Sequence, residues 1–137
     1  MGIVYAEITL KNAFGVGAYR NGYIKEPEIR QATVTAMVDT GAITLVINEK
    51  LRLELGLGVQ GEHQATLANE AKETVKIAEP VEIHWKNRSM TCNPLVIPGD
   101  GQILLGAIPL EDMDLIVDPA RQILTGAHGE EIVSMLK

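Results

Sequence analysis

The segment Asp39-Thr40-Gly41-Ala42 contains the residues of this sequence that are best suited to chemistry. It follows an alternating apolar stretch, so Asp39 would be held at the end of a buried strand, where a carboxylate can act as an acid or a base. Gly41 allows a tight turn, and the Thr40 hydroxyl can lock the loop by hydrogen bonds to a facing backbone. Asp, Thr and Gly are also common turn residues, so the triplet alone is equally consistent with an ordinary turn.

Apolar strands are predicted on both sides of this segment. Alternation from Ala32 to Val38 predicts a half-buried strand that runs directly into Asp39, and the same alternation is present from Val4 to Leu10. Leu45-Val46-Ile47 predicts a short strand after the segment. Further along, Ile103-Leu104-Leu105 is a continuous apolar run before Gly106, which is typical of a strand buried on both faces.

The rest of the chain is predicted to consist mainly of short strands. One helix is expected after Asn48, which can cap its start, and Gly56 would end it. The region Asn12 to Gly22 contains three glycines and predicts a turn or a mobile hairpin tip. The other predicted elements are a hairpin over residues 65–77 with its tip near residues 69–71, strands at 81–85, 90–92 and 95–97 with a turn at 87–88, a short helix from 109, strands at 115–117 and 123–124, and a terminal strand over 130–136. Many short strands at regular spacing predict an all-β barrel or sandwich.

Composition sets the class of protein and excludes several partners. The 137 residues predict a single domain over residues 1–137, and the low aromatic content of 4% predicts an aliphatic core. A net charge of −6 argues against a large basic surface for nucleic acid or anionic lipid. The single cysteine, Cys92, favours an intracellular, cytoplasmic location, and we expect no secretion signal and no membrane span.

Two segments together resemble a known family. Residues 36–42, Ala-Met-Val-Asp-Thr-Gly-Ala, resemble the active-site segment of retropepsin-like aspartic peptidases, and residues 103–106, Ile-Leu-Leu-Gly, are similar to the downstream signature of that family. The order of the predicted elements also fits from residue 32 to residue 124, with small prokaryotic single-domain members as the nearest likeness. This resemblance implies a small closed β-barrel of the retropepsin type with one or two short helices. It also implies that Thr40, Gly41, Ala42, Leu105 and Gly106 support the active-site loop.

The resemblance implies an aspartic endopeptidase that uses two carboxylates sharing one proton, with no metal and no organic cofactor. Two like charges a few ångström apart cannot both ionise, so one acts as base and the other as acid. Only Asp39 is followed by Thr-Gly, and none of the other aspartates is a convincing second acid: Asp100, Asp112, Asp114 and Asp118. We therefore expect a homodimer with one Asp39 from each subunit, in which the amino-terminal strand and residues 130–136 are candidate interface strands.

The expected substrate is an extended polypeptide held beneath a flap whose tip comprises Ala68, Asn69, Glu70 and Ala71. This tip lacks the glycines of a typical retroviral flap, and Ile43 and Ala107 stand where many members of the family carry polar residues. We expect Trp85 to lie in the core. His63, His84 and His128 are far apart in the sequence and lack metal-ligand spacing, so we expect them, like Cys92, to be structural or solvated.

Two other interpretations remain open at this point. One is a retropepsin-fold binding or dimerisation module that keeps Asp-Thr-Gly for structure alone. The other is an unrelated β-barrel that binds a small ligand, which requires Asp39 to lie in a surface turn far from any cleft.

Overall fold

The alternating residues on either side of the Asp-Thr-Gly segment form paired strands. The structure is a computed structural model that describes residues 3–66 and 69–128. Its strands are β1 (Tyr5–Asn12), β2 (Gln31–Val38), β3 (Val46–Asn48), β4 (Val59–Thr66), β5 (Lys72–Ala78), β6 (Val81–Trp85), β7 (Arg88–Cys92), β8 (Leu95–Ile97), β9 (Leu104–Leu105), β10 (Leu115–Asp118) and β11 (Ile123–Gly126). Its α-helices are α1 (Ala13–Arg20), α2 (Glu49–Glu54) and α3 (Ala107–Asp112), and a 3₁₀-helix spans Glu26–Glu28.

Nine of these strands form one sheet in the order β4-β5-β8-β3-β9-β2-β1-β6-β7, and β10 pairs with β11 in a separate hairpin. The mostly β class is therefore confirmed. The closed barrel is not confirmed, because among the described residues the end strands β4 and β7 do not pair with each other. The described part of the chain contains three short α-helices, where one or two were predicted.

Strand β9 lies between the two strands that flank the Asp-Thr-Gly segment. It pairs in parallel with the end of β2, where Val38 is opposite Leu105. On its other side it pairs antiparallel with β3, where Val46 is opposite Leu104. The chain therefore leaves β2, turns through the segment and returns as β3, with β9 inserted between them. This insertion brings the apolar run before Gly106 next to the end of β2, where Asp39 follows.

The core is aliphatic, as the composition predicts. Strands β1, β2 and β6 contribute alternate residues, so that Ile8, Leu10, Ala36 and Ile83 are almost completely buried. Trp85 is 7% exposed and packs in the same cluster, which confirms its predicted place in the core. Leu105 is fully buried, in agreement with the prediction for a strand covered on both faces.

The prediction for the region Asn12 to Gly22 is wrong, because residues 13–20 form helix α1. The Asn12 side chain caps the helix by accepting a hydrogen bond from the Gly15 backbone N–H at 3.1 Å. The same side chain donates to the Leu55 carbonyl oxygen at 2.9 Å, which ties the helix start to the body of the protein. Glycines destabilise a helix interior, but this cap and the burial of Val16 outweigh that cost.

The local signals for α2 are confirmed. Asn48 accepts a hydrogen bond from the Leu51 backbone N–H at 2.8 Å, and Gly56 has a positive φ of 66° just after the helix. The short helix expected from Pro109 is also present, although α3 begins two residues earlier, at Ala107.

The hairpin predicted over residues 65–77 is confirmed for its described residues, with β4 starting earlier, at Val59. Its tip contains an Asx turn, in which the Ala71 N–H donates to Asn69 Oδ1 at 3.0 Å, and Glu70 has a positive φ. The turn between β6 and β7 lies at Lys86 and Asn87, one residue before the predicted position. Ala68 and the predicted strand over 130–136 lie outside the described residues.

Among the described residues, no helix is long and apolar enough to cross a membrane.

Candidate active site

Asp39 is held at the end of β2 by backbone contacts. Its N–H donates to the Leu105 carbonyl oxygen at 3.0 Å, so the β2–β9 pairing extends to the aspartate itself. Its carbonyl oxygen accepts from the Ala42 N–H at 3.0 Å, and its Oδ1 accepts from the Gly41 N–H at 2.9 Å. The carboxylate is therefore fixed by its own loop, with Gly41 as the donor.

The segment around Gly106 supports this loop from below. The Ala107 N–H donates to the Ala42 carbonyl oxygen at 2.8 Å, and the Ile108 N–H donates to the Ile43 carbonyl oxygen at 2.9 Å. A Cβ atom at Gly106 would lie 2.6 Å from the Ala42 oxygen and 2.8 Å from the Thr44 nitrogen, and would also collide with the Thr44 oxygen. Only glycine allows this close approach of two backbones.

Thr40 is exposed at the turn of the loop. Within the described part of this one chain, its hydroxyl makes no hydrogen bond, so the predicted lock on a facing backbone is not formed inside the subunit. The loop is instead held by Gly41, Ala42, Leu105 and Gly106.

Two open apolar cavities lie on either side of Thr40. The first has a volume of about 390 Å³ and contains Asp39, with apolar walls formed by Ile3, Val4, Met37, Val38 and Val117. The second, of about 370 Å³, is lined by residues of α3 and β10, including Glu111 and Ile116. Asp39 therefore lines a cavity. The interpretation as an unrelated ligand-binding barrel required Asp39 to lie in a surface turn far from any cleft, so this observation argues against it.

Asp39 is the one acidic residue of its cavity among the residues that the structure describes. The other aspartates have structural surroundings elsewhere. Asp114 Oδ1 is hydrogen-bonded to His128 Nδ1 at 2.7 Å. Asp118 Oδ2 lies 2.9 Å from Arg121 Nε, and the hydrogen bond with this guanidinium lowers the pKa of Asp118. Asp100 and Asp112 are exposed.

Large apolar side chains around the Asp39 loop remain exposed to solvent. Ile43, within the loop, is 70% exposed, and its backbone partner Ile108 is 51% exposed. Ile3 and Ile116, which line the two cavities, are also exposed. We call Ile3, Ile43, Ile108 and Ile116 the apolar rim. Exposed apolar side chains grouped around a polar residue are typical of an interaction surface.

The sequence motifs do not identify all of the cavity's walls. Ile3, Val4 and Val117 reach Asp39 from the chain start and from β10, far from the motif in sequence. The Val4 carbonyl oxygen accepts from the Val38 N–H at 2.8 Å, which places the chain start beside the loop. No local pattern in the sequence marks these residues as neighbours of Asp39. Conversely, the hairpin-tip residues Asn69, Glu70 and Ala71 do not line this cavity.

The histidines and the cysteine lie apart from Asp39's cavity. His63 is on β4, while His84 Nε2 lies 2.9 Å from Glu82 Oε1 on β6. Among the described residues, no group of three or more His, Cys, Asp and Glu side chains is arranged to hold a metal ion.

The Cys92 thiol is expected to be unreactive at neutral pH. Burial raises its pKa to about 11, from an ordinary value of 9.0, although a hydrogen bond with Thr44 opposes this change. At pH 8 the reactive thiolate is then about a hundredfold scarcer than in an ordinary cysteine. We expect the native protein to react with a disulfide reagent about a hundredfold more slowly than the urea-unfolded chain. Equal rates in the two states would contradict this burial.

Comparison with known proteins identifies the class of this fold and site. A family model described as aspartyl protease matches residues 26–107, which is more than half of the chain and includes both the Asp39 loop and Gly106. The chain therefore belongs to the aspartyl protease family. No curated protein matches its sequence.

The chain is similar to solved structures at low sequence identity. The crystal structure of the retroviral protease-like domain of Ddi1 from Leishmania major superposes with a TM-score of 0.55 at 15% identity, covering 91% of this chain and 88% of that one. The match to the crystal structure of a retropepsin-like aspartic protease from Rickettsia conorii covers 87% of this chain and 95% of that chain. Its sequence identity is 18% and its TM-score is 0.38. At these identities the first likeness concerns the fold alone, and the second is too distant in shape to add to it.

Proposed function

We propose that this protein is an aspartic endopeptidase whose active site is formed by Asp39 from each of two identical subunits. The observation that carries this proposal is the setting of Asp39. It is rigidly held over Gly106 in an apolar cavity and has no second acid beside it there among the described residues. A dyad mechanism needs two carboxylates, so the second must come from another copy of the chain.

In the proposed dimer, the two carboxylates share one proton. The ionised one accepts a proton from a water molecule as the water oxygen attacks the scissile carbonyl carbon. The protonated one donates its proton to the carbonyl oxygen, which gives a neutral tetrahedral diol. The apolar walls of the cavity exclude competing water and strengthen the interaction between the two groups. The reaction needs no metal or organic cofactor.

The exposed residues around the loop support a two-fold interface. Burying Ile43 and Ile108 against the same residues of a second copy removes apolar surface from water, at roughly 25 cal/mol per Å². The exposed Thr40 hydroxyl would then meet the facing backbone that it lacks within one subunit. We propose that the chain start at Ile3 and residues 130–136 extend this interface.

The proposed substrate is an extended polypeptide, covered by the β4–β5 hairpin with its tip at Asn69, Glu70 and Ala71. A cytoplasmic location and the single-domain organisation over residues 1–137 remain predictions.

One observation favours a non-catalytic binding or dimerisation module as the second candidate. Asp39 Oδ1 accepts the Gly41 N–H, which is the hydrogen bond that an aspartate makes when it only shapes a turn. Such a module would dimerise through the same apolar rim but would cut no peptide.

Activity measured against protein concentration distinguishes the two candidates. The protein is diluted through the range in which sedimentation shows dimers dissociating, and cleavage of an unstructured peptide is followed at acidic to neutral pH. For a shared dyad we expect activity per subunit to fall with the dimer fraction. A module gives dimers and no cleavage, whereas full activity of a monomer contradicts the shared dyad.

A further inference from the structure

The connection between β1 and β2 exposes aromatic side chains that a folded domain normally buries. We call residues 11–30 the connector; it comprises the last two residues of β1 and the whole connection to β2, including α1 and the 3₁₀-helix. The chain contains only one Phe, three Tyr and one Trp, and the connector holds Phe14, Tyr19 and Tyr23. These side chains are 58%, 39% and 82% exposed. Exposed aromatics concentrated in one short segment are typical of binding surfaces, where they supply contact area at low entropic cost.

The connector is also locally basic in an acidic protein. It contains the four cations Lys11, Arg20, Lys25 and Arg30 and only two acids, whereas the other residues contain eight Lys or Arg and 16 Asp or Glu. Arg20, Lys25 and Arg30 are exposed. Within the described ranges, none of the four cations takes part in an ion pair. The charges of Arg20 and Lys25 are therefore available to an incoming anion, whereas the Arg30 guanidinium already donates to the Leu53 carbonyl oxygen at 3.1 Å.

The connector is held firmly against the body of the protein. The Asn12 N–H donates to the Arg30 carbonyl oxygen at 2.9 Å, which joins its two ends, and the Ala13 N–H donates to the Pro80 carbonyl oxygen at 3.1 Å. Two side chains of the connector itself, Val16 and Ile29, are buried. A partner would therefore meet a surface that is already ordered, which lowers the entropic cost of binding.

This surface is separated from the Asp39 loop by the length of a strand. The connector ends where β2 begins, and Asp39 follows the other end of that eight-residue strand. At about 3.3 Å per residue, the two sites lie about 25 Å apart. The same distance is spanned by about eight residues of an extended peptide.

We propose that the connector binds an acidic stretch of a polypeptide. If the protein is the peptidase proposed above, this polypeptide is its substrate. The acidic stretch then lies about eight residues from the cleaved bond. Its carboxylates would pair with Arg20 and Lys25, and its apolar side chains would pack on Phe14 and Tyr23. A membrane or a nucleic acid is an extended polyanion, so its negative charge would reach beyond the connector. The acidic remainder of this protein would repel that charge. A second copy docked by a two-fold axis would oppose like charges.

Direct binding tests the proposal without requiring cleavage. A fluorescent peptide of alternating Glu and Phe is titrated with the protein, and its anisotropy is compared with that of a Lys-Phe peptide. We expect saturable binding of the acidic peptide only, weakened by salt. The double variant Arg20→Gln/Lys25→Gln should raise the dissociation constant by about tenfold. The control Lys50→Gln/Arg121→Gln removes the same number of exposed cations elsewhere, of which Arg121 is paired with Asp118, and should change it less than twofold.

Three results would overturn the docking site: no saturable binding, equal weakening by both double variants, or binding to phosphatidylserine vesicles that the acidic peptide does not displace. A cleavage assay then tests the link to the substrate. For a peptide with an acidic stretch eight residues from the cut, the connector variant should raise KM about tenfold with kcat unchanged. Binding by a protein that cuts no peptide would support the docking site and overturn its role in substrate choice.

Discussion

Replacement of Gly106 by alanine is expected to destabilise the protein by about 3 kcal/mol or more. The new methyl group would lie within 3 Å of three backbone atoms of the Asp39 loop. Backbone atoms cannot rotate aside as a flexible side chain can, so the loop and α3 must separate. Separation would break the hydrogen bonds from Ala107 to Ala42 and from Ile108 to Ile43. Because a domain of this size is stabilised by only ~5–15 kcal/mol, this loss is a large share of the total, and Gly106→Ala should unfold at a clearly lower urea concentration than the wild type.

Urea unfolding followed by circular dichroism measures this effect, with Gly17→Ala as the matched control. Gly17 lies inside α1, and apart from its chain neighbours and the helix's own backbone no atom lies within 4 Å of a Cβ placed there, so alanine meets no obstacle. Alanine also favours a helix over glycine by up to ~1 kcal/mol. We expect Gly17→Ala to raise the free energy of unfolding and Gly106→Ala to lower it. Equal stability of the two variants would show that the loop and α3 are not in the close contact described.

Elements encoded by local patterns were predictable from the sequence. The period-two alternation leading to Asp39 and the cap at Asn48 act within a few residues, and both are present as predicted. Helix α1 was missed because its stability depends on a distant contact, from the Asn12 side chain to the Leu55 carbonyl oxygen. Local propensity shows only the cost of Gly15 and Gly17, and not the interactions that outweigh it.

The place of the candidate site was predictable, but its walls were not. The two motifs indicate Asp39 and Gly106, and the insertion of β9 between β2 and β3 brings these residues together. The resemblance to a family supplied that pairing, which no short-range signal encodes. Ile3 and Val117 join the cavity through tertiary packing alone. The number of strands and the open order of the sheet also depend on long-range pairing, which explains why barrel closure was predicted and not found.

Replacement of Asp39 by asparagine is expected to reduce kcat for peptide cleavage by about a thousandfold or more, because an amide can neither accept nor donate the catalytic proton. The fold should be retained. The asparagine oxygen can accept the Gly41 N–H that Asp39 Oδ1 accepts, so the free energy of unfolding should change by less than about 1 kcal/mol. Cleavage of an unstructured peptide and urea unfolding measure the two effects. Full activity of the folded variant would contradict the proposed role of Asp39.

Glu111→Gln is the matched control, because Glu111 lines the neighbouring cavity, across Thr40 from Asp39. If the second carboxylate comes from another subunit, Glu111→Gln keeps its activity. If Glu111 supplies it within one chain, this variant is as inactive as Asp39→Asn, and a monomer is sufficient for catalysis.

Mixing wild-type and Asp39→Asn subunits gives the sharpest test of the shared dyad. After subunit exchange at equal amounts, only about one quarter of the dimers contain two Asp39 residues. We therefore expect activity to fall with the square of the wild-type fraction, to about a quarter at equal mixing. Independent active sites in each chain would instead leave half of the activity. The power of the wild-type fraction with which activity falls therefore shows whether each active site needs Asp39 from two subunits. The exposed apolar rim and the single acidic residue in the described lining of the Asp39 cavity are the observations that lead us to expect the square.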